Sequence, residues 1–160
     1  MVRILDDIIL DDIIIRTCSR IMLPFIQIYS LYVFVHGHSS PGGGFQGGCI
    51  MAASFILLAV AFSIREAKRR FKEKYIVIFC SLGVFIYAGT GAVAVIFSGN
   101  FLDYSKWTHI LPTTPVMARY YGMALIELGV QITVMAVMIS IFMDLVTKGD
   151  HAEVLDWEDD

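Results

Sequence analysis

Four long apolar stretches constrain the fold of this 160-residue chain more than any other feature. Each is long enough to cross a hydrocarbon core of about 30 Å as a helix. In lipid a helix satisfies its own backbone hydrogen bonds, and the stretches are too long and too uniformly apolar for barrel strands. The sequence therefore predicts an all-α integral membrane protein whose four transmembrane helices cover residues 17–35, 45–63, 75–98 and 121–146.

The composition supports lipid as the solvent. The chain is 57% hydrophobic and 17% charged, whereas a soluble domain has about 25% charged residues. The formal net charge of −3 gives no basic surface for nucleic acid.

The distribution of lysine and arginine predicts the orientation in the membrane. Of the 12 such residues, three lie in or near the N-terminal segment, six in the connection 65–74 and one in the tail, whereas the opposite side has only Lys106 and Arg119. Because positive charge accumulates on the cytoplasmic side, both termini are predicted to be cytoplasmic. The connection between the first two spans then lies at the outer face.

Both ends of the chain are acidic. Residues 1–16 carry four aspartates in a repeat of LDDII, which predicts an amphipathic segment that docks on a protein partner. This start lacks the features of a signal or transit peptide. Residues 147–160 are predicted to be a solvated acidic tail, so residues 1–160 form a single membrane domain.

The connection between the first two spans is rich in glycine. The stretch HGHSSPGGGFQGG, His36–Gly48, holds six of the chain's 13 glycines. Glycine allows tight turns and close backbone approach, and Gly44 with Gly48 forms a small-xxx-small face. The stretch predicts a reentrant or turn segment, whose bare N–H groups need a partner chain, water or an ion. Either it only packs helices together, or it touches a transported ion.

Catalytic and metal-binding chemistry finds little support in the sequence. Gly42, Gly44 and Gly47 match GxGxxG, but a membrane helix precedes them instead of the strand that a dinucleotide site requires. His36 and His38 have no carboxylate or cysteine nearby and are interpreted as loop residues, not metal ligands. The three cysteines lack CxxC spacing and are predicted to be buried thiols. We therefore predict no enzyme activity, no metal and no cofactor.

Glu127 is the carboxylate that lies deep inside a predicted span. An ionised carboxylate at the bilayer centre costs about 2.5–3.5 kcal/mol, so this side chain should face protein, be protonated, or both. Gln131 lies one turn further on the same helix face, and Tyr120 lies two turns earlier. Glu127 and Gln131 are candidates for an ion path, although a purely structural hydrogen bond from Glu127 to a neighbouring helix is equally compatible with the sequence.

The third span offers two further polar candidates and several small residues. Tyr87 and Thr90 could supply hydrogen-bonding groups to an ion path. Gly83, Gly89 and Gly91 favour close packing between helices. Packing is the preferred interpretation of this span.

The glycine-rich stretch resembles a known family signature. It matches, at every fixed position, the motif of the MrpB subunit of Mrp-type multisubunit sodium/proton antiporters, a family also represented in the membrane arms of archaeal respiratory hydrogenases. The four-span layout is similar over nearly the whole chain. The matching residues are Gly37, His38, Pro41, Gly42, Gly43, Gly44, Phe45, Gly47 and Gly48.

The resemblance implies a non-catalytic subunit that contributes to sodium and proton translocation within a larger complex. That complex would be an antiporter or a hydrogenase-type oxidoreductase of the respiratory chain. The implied partners are other small hydrophobic antiporter-type subunits in a hetero-oligomer, the lipid bilayer, sodium ion and proton. The implied location is a prokaryotic plasma membrane, which the chain would cross several times. The alternatives are a purely structural assembly subunit and a small homo-oligomeric channel built around Glu127.

Overall fold

The computed structural model describes residues 13–38, 42–62, 67, 73–98, 100–109 and 112–147. All four of its long helices are apolar enough to cross a membrane, and the described residues contain no strand. The prediction of an all-α protein with four transmembrane helices is therefore confirmed. The elements are α1 (Ile13–Val35), α2 (Gly44–Phe62), α3 (Glu73–Ser98), a short 3-10 segment (Tyr104–His109) and α4 (Pro115–Thr147).

All four helices begin before the first residue of the corresponding apolar stretch, and the difference is largest for α1 and α4. Helix α4 begins at Pro115, because proline fits the first helical position and Thr114 caps the helix by accepting a hydrogen bond from the Met117 N–H at 3.5 Å. Helix α1 begins at Ile13, which places Pro24 inside the helix.

Several predicted segments lie outside the described residues. These are most of the acidic N-terminal segment, most of the basic connection, and the C-terminal tail beyond residue 147. Pro41 of the glycine-rich motif is also outside them. The described parts of the chain begin within α1 and end with α4.

The helices are arranged mainly as a row in the order α1, α2, α4, α3. The main helix contacts are those of α1 with α2, α2 with α4, and α4 with α3, whereas α1 touches α4 only slightly. The 3-10 segment packs on α4 and α3. Only 11% of the residues in the apolar window of α1 are buried, compared with 33% in α2. Much of the apolar surface is therefore free to face lipid or other subunits.

Glycine residues set the close approach of α3 and α4. A Cβ built on Gly83 would lie 2.6 Å from the carbonyl oxygen of Gly129, and one on Gly129 would lie 2.8 Å from that of Gly83. Gly91 instead packs under the ring of Phe101, and a Cβ on Gly89 would meet no atom within 4 Å. Of the three glycines proposed for close packing between helices, Gly83 has that role, whereas Gly91 packs on the connection that follows α3.

Candidate functional site

The described residues of the glycine-rich stretch pack against the N-terminal half of α4. Helix α1 ends at Val35, and a turn follows in which the Gly37 N–H donates to the Phe34 carbonyl at 3.1 Å. Helix α2 then begins at Gly44. The two ends of the stretch meet α4 near Glu127.

Helix α2 lies backbone to backbone with α4. A Cβ on Gly44 would lie 2.7 Å from the carbonyl carbon of Glu127 and 3.0 Å from its Cα. One turn further, a Cβ on Gly48 would lie 2.8 Å from the carbonyl oxygen of Gln131. The small-xxx-small face of α2 thus packs on α4 at Glu127 and Gln131, where any larger side chain would separate the helices.

The carboxylate of Glu127 is walled by glycine backbone. A Cβ on Gly37 would lie 2.7 Å from Glu127 Oε2, and one on Gly43 would lie 3.7 Å from both carboxylate oxygens. The missing side chain of Gly37 provides space that the carboxylate occupies, whereas a Cβ on Gly43 would make only ordinary contact with it. In the described part of the chain, the Glu127 side chain makes no hydrogen bond or ion pair.

A partly open cleft of about 120 Å³ adjoins this carboxylate. The ring centroids of His38 and Tyr120 are 5.5 Å apart in an edge-to-face contact. The cleft is large enough for several water molecules. Its lining combines the end of α1 with one face of α4, namely Phe34, Val35, His38, Tyr120, Ala124 and Glu127.

Gln131 lies one turn further along α4 than Glu127, beyond the residues that line the cleft. It is only 5% exposed, and its Nε2 donates to Ser30 Oγ at 3.3 Å. The Ser30 hydroxyl in turn donates to the Gly47 carbonyl at 2.7 Å. Gln131 Oε1 is buried and has no hydrogen-bond partner. One turn inward along the α1–α2 contact, Gln27 Nε2 lies 3.5 Å from Ser54 Oγ.

Ser30 was not singled out from the sequence. It is fully buried, but it lies within an apolar run and is 101 residues from Gln131 in the chain. The sequence shows only a serine within an apolar span. Its contact with the glycine-rich start of α2 could be recognised only once the packing of α1 on α2 was known.

Tyr87 and Thr90 lie elsewhere. Both are on α3, and α3 packs on α4 at Gly129. Gly129 is two residues after Glu127, so at 100° per residue the two lie on nearly opposite faces of α4. The buried Thr90 hydroxyl donates to the Ile86 carbonyl at 2.7 Å. Tyr87 instead lies near Tyr104 of the 3-10 segment, where burial and the neighbouring Tyr87 raise the pKa of Tyr104. The structure therefore places Glu127 and Tyr120 on one cleft, with Gln131 one turn further along α4 and outside the cleft lining. Tyr87 and Thr90 lie apart from this cleft.

The remaining residues of the stretch His36–Gly48 have varied positions. The His36 ring lies over Tyr32 at 4.1 Å, and its Nδ1 is 3.1 Å from the Tyr32 carbonyl oxygen. Phe45 is 63% exposed and faces away from the packed helices. A Cβ on Gly42 would meet Val33 at 2.9 Å.

The described residues contain no group of three or more His, Cys, Asp or Glu suited to a metal ion. The three cysteines are free, and Cys18 is exposed, which contradicts the expectation that it is buried. The expectation failed because an apolar neighbourhood in the sequence does not distinguish burial in protein from exposure on a lipid-facing helix surface.

Comparison with known proteins identifies the family. Residues 14–140 match the family described as a domain related to the MnhB subunit of Na⁺/H⁺ antiporter. The chain is 34% identical over 142 residues to the putative antiporter subunit mnhB2 of Staphylococcus haemolyticus (strain JCSC1435), covering 84% of this chain and 94% of that protein. The protein of the same name from Staphylococcus aureus (strain Newman) is 28% identical over 137 residues, with the same coverage.

These findings confirm the resemblance inferred from the glycine-rich motif. They agree with four helices that are apolar enough to span a membrane, and the chain is a multi-pass protein of the plasma membrane. The family is one of transport subunits within a multisubunit complex, so other membrane subunits are its partners. The chain therefore belongs to the MnhB family of subunits of Na⁺/H⁺ antiporters.

Proposed function

We propose that this subunit lines part of the ion route of its antiporter complex, and that Glu127 is the residue through which ions pass. The subunit would have no catalytic chemistry of its own. The observation that carries the proposal is the carboxylate of Glu127, which adjoins a cleft and has no hydrogen-bond or ion-pair partner among the described residues. A carboxylate whose role is to join helices is expected to have a partner at this depth, because an unpaired one is costly.

The proposed route has a mouth and an inner end. His38 and Tyr120 lie at the mouth, on the lining of the cleft, and Gln131 lies one turn further along α4. Tyr87 is 46% exposed on α3 and would contribute only to a separate path completed by a neighbouring subunit. Thr90 is buried, and its hydroxyl is occupied by the Ile86 carbonyl of its own helix. Sodium ion and proton are the ions that we propose for the route.

The partners are proposed to be other small hydrophobic subunits of a hetero-oligomer. The row of helices supports this, since it leaves α1 largely uncovered within the chain. The Staphylococcus relatives carry the name of antiporter subunits, which favours an antiporter over a hydrogenase-type respiratory assembly as the parent complex. A homo-oligomeric channel would instead require several copies of this chain and no companion subunits.

Replacing Glu127 with glutamine tests the proposed route. The change keeps the shape of the side chain and removes its titratable group, so the complex should assemble while sodium-driven proton movement falls by about tenfold or more. The measurement is the initial rate of internal pH change in proteoliposomes that contain the purified complex. Glu127→Ala should also lower the amount of complex, because it removes the side chain that fills the space between Gly37 and Gly43.

Asp144→Asn is the matched control. It likewise replaces a carboxylate with an amide, but at an exposed position near the other end of α4. It should leave the transport rate unchanged. If Glu127→Gln transports as well as the parent protein across pH, Glu127 is structural, and the subunit then serves assembly alone.

The orientation can be tested by cysteine labelling. In a variant whose three cysteines are replaced by serine, Thr114→Cys should react with an impermeant maleimide added to intact cells, because the positive-inside rule places the start of α4 outside. Lys74→Cys, an exposed position at the start of α3, should react only after the membrane is permeabilised. The reverse result would place the cleft on the cytoplasmic side.

A further inference from the structure

We propose that Glu127 and Gln131 form a single exchange site, which holds either a proton or one monovalent cation between the carboxylate and the amide oxygen of Gln131. This inference rests on the proposed ion route and assigns its ligands. It gives Gln131 Oε1 the role of the second ligand.

The two side chains lie on successive turns that face the same helix. Gly43 borders the carboxylate of Glu127, and a Cβ on Gly47 would lie 3.1 Å from Gln131 Nε2. The Gly47 N–H donates to the Gly43 carbonyl at 2.9 Å, so these glycines are also one turn apart. Residues four apart on a helix have Cβ atoms about 5–6 Å from each other. Because both facing residues are glycine, α2 places no side chain between the carboxylate and the amide.

Gln131 Oε1 needs a ligand that the described residues do not supply. Its Nε2 is held by Ser30, but the oxygen is buried without a partner. A buried amide oxygen that lacks a hydrogen bond is unfavourable. A protonated carboxyl group of Glu127 can donate to this oxygen, and a cation can coordinate it. Each occupant satisfies the amide oxygen and the carboxylate together.

Charge selects the class of ion. A proton or a monovalent cation brings the net charge of the site to zero, whereas a divalent cation would leave a positive charge inside the membrane, which is costly. The ligands are oxygens of a carboxylate and an amide, which suit a hard cation. Among the described residues, the titratable groups that line the cleft with the carboxylate are His38, just after α1, and Tyr120 of α4, while those of α2 contribute none.

The exchange is balanced at one proton for one cation. The O–H bond of the Glu127 carboxyl group breaks, and the proton passes to water in the cleft. The cation then takes the position between the carboxylate and Gln131 Oε1. The reverse step releases the cation and restores the O–H group, so no oxidant or other reactant is needed.

Replacing Gln131 with leucine in the complete complex tests the site. Leucine is apolar and of similar size, so it removes the oxygen ligand while filling most of the space. We measure the initial rate in proteoliposomes against the concentration of Na⁺ at two pH values. The half-saturating concentration should rise by about tenfold, with a smaller effect on the maximal rate. A residue that serves packing alone would lower the maximal rate or the amount of complex and leave the half-saturating concentration unchanged.

Gln27→Leu is the matched control. It makes the same change at the neighbouring polar contact between α1 and α2, where Nε2 lies 3.5 Å from Ser54 Oγ. It should leave the half-saturating concentration of Na⁺ unchanged.

Gln131→Glu decides the question if the leucine variant does not assemble. It keeps an oxygen ligand and adds a second titratable group, so the half-saturating concentration should depend more steeply on pH. An unchanged pH dependence would overturn the proposal. An unchanged half-saturating concentration in Gln131→Leu would also overturn it, and the ion route would still stand if Glu127→Gln slows transport. Normal transport by Glu127→Gln would instead overturn the proposed function itself.

Discussion

Replacing Gly44 with alanine is expected to lower the recovery of the assembled complex severalfold. The added Cβ would lie 2.7 Å from the carbonyl carbon of Glu127, with the carbonyl oxygen nearer still. The obstacle is backbone, which cannot move aside as the end of a flexible side chain can. Overpacking of this kind costs about 1–3 kcal/mol or more. Helices α2 and α4 would therefore separate at the level of Glu127.

The measurement compares the amount of this chain in membranes with the amount that copurifies with a tagged companion subunit. Insertion depends on hydropathy, so Gly44→Ala should reduce the second quantity much more than the first. Gly89→Ala is the matched control, because its Cβ would meet no atom within 4 Å. Gly43→Ala should also assemble, since its Cβ would make ordinary contacts at 3.7 Å with the Glu127 carboxyl group. Equal recovery of Gly44→Ala and Gly89→Ala would show that close approach at Gly44 is not needed.

Replacing Gly83 with alanine should lower the thermal stability of the complex. The Cβ would lie 2.6 Å from the carbonyl oxygen of Gly129 and 2.9 Å from the Thr133 nitrogen, so α3 would be pushed away from its main helical neighbour. With a cost of about 1–3 kcal/mol, the melting temperature should fall by roughly 5 °C. Gly129→Ala, which alters the other side of the same contact, should give a similar decrease.

Thermal denaturation of the detergent-purified complex measures this effect. Gly89→Ala on the same helix is again the control and should melt with the parent protein. The transport rate per assembled complex should be preserved in Gly83→Ala, because Gly83 packs on the face of α4 that points away from Glu127. A melting temperature equal to that of the control would contradict the importance of the Gly83–Gly129 contact.

The helices were predictable because lipid imposes both a length and a composition on a spanning segment. The shared face of Tyr120, Glu127 and Gln131 was also predictable, since it follows from the helical repeat within one segment. Tyr87 and Thr90 were grouped with them as candidates because the sequence does not indicate which face of α4 each neighbouring helix covers. That choice depends on the order of the helices in the row, which local periodicity does not encode.

The contacts of individual glycines were beyond the sequence for a related reason. Gly83 and Gly89 lie in the same apolar helix, yet a Cβ added to Gly83 would collide with α4 and one added to Gly89 would meet no atom within 4 Å. Gly44 and Glu127 are far apart in the chain, so no local sequence pattern predicts their contact. The glycine-rich motif and the carboxylate were each noticed in the sequence, and the fold places them side by side.

Because its helices are arranged mainly in a row, this subunit has the form of a layer instead of a closed bundle. A four-helix bundle encloses its polar side chains in a central core that is reached mainly from the ends. A layer one helix thick, about 10–12 Å with side chains, has no such enclosed centre. The cleft beside Glu127 is accordingly partly open, and a neighbouring subunit packed over it would complete a compartment that contains the carboxylate.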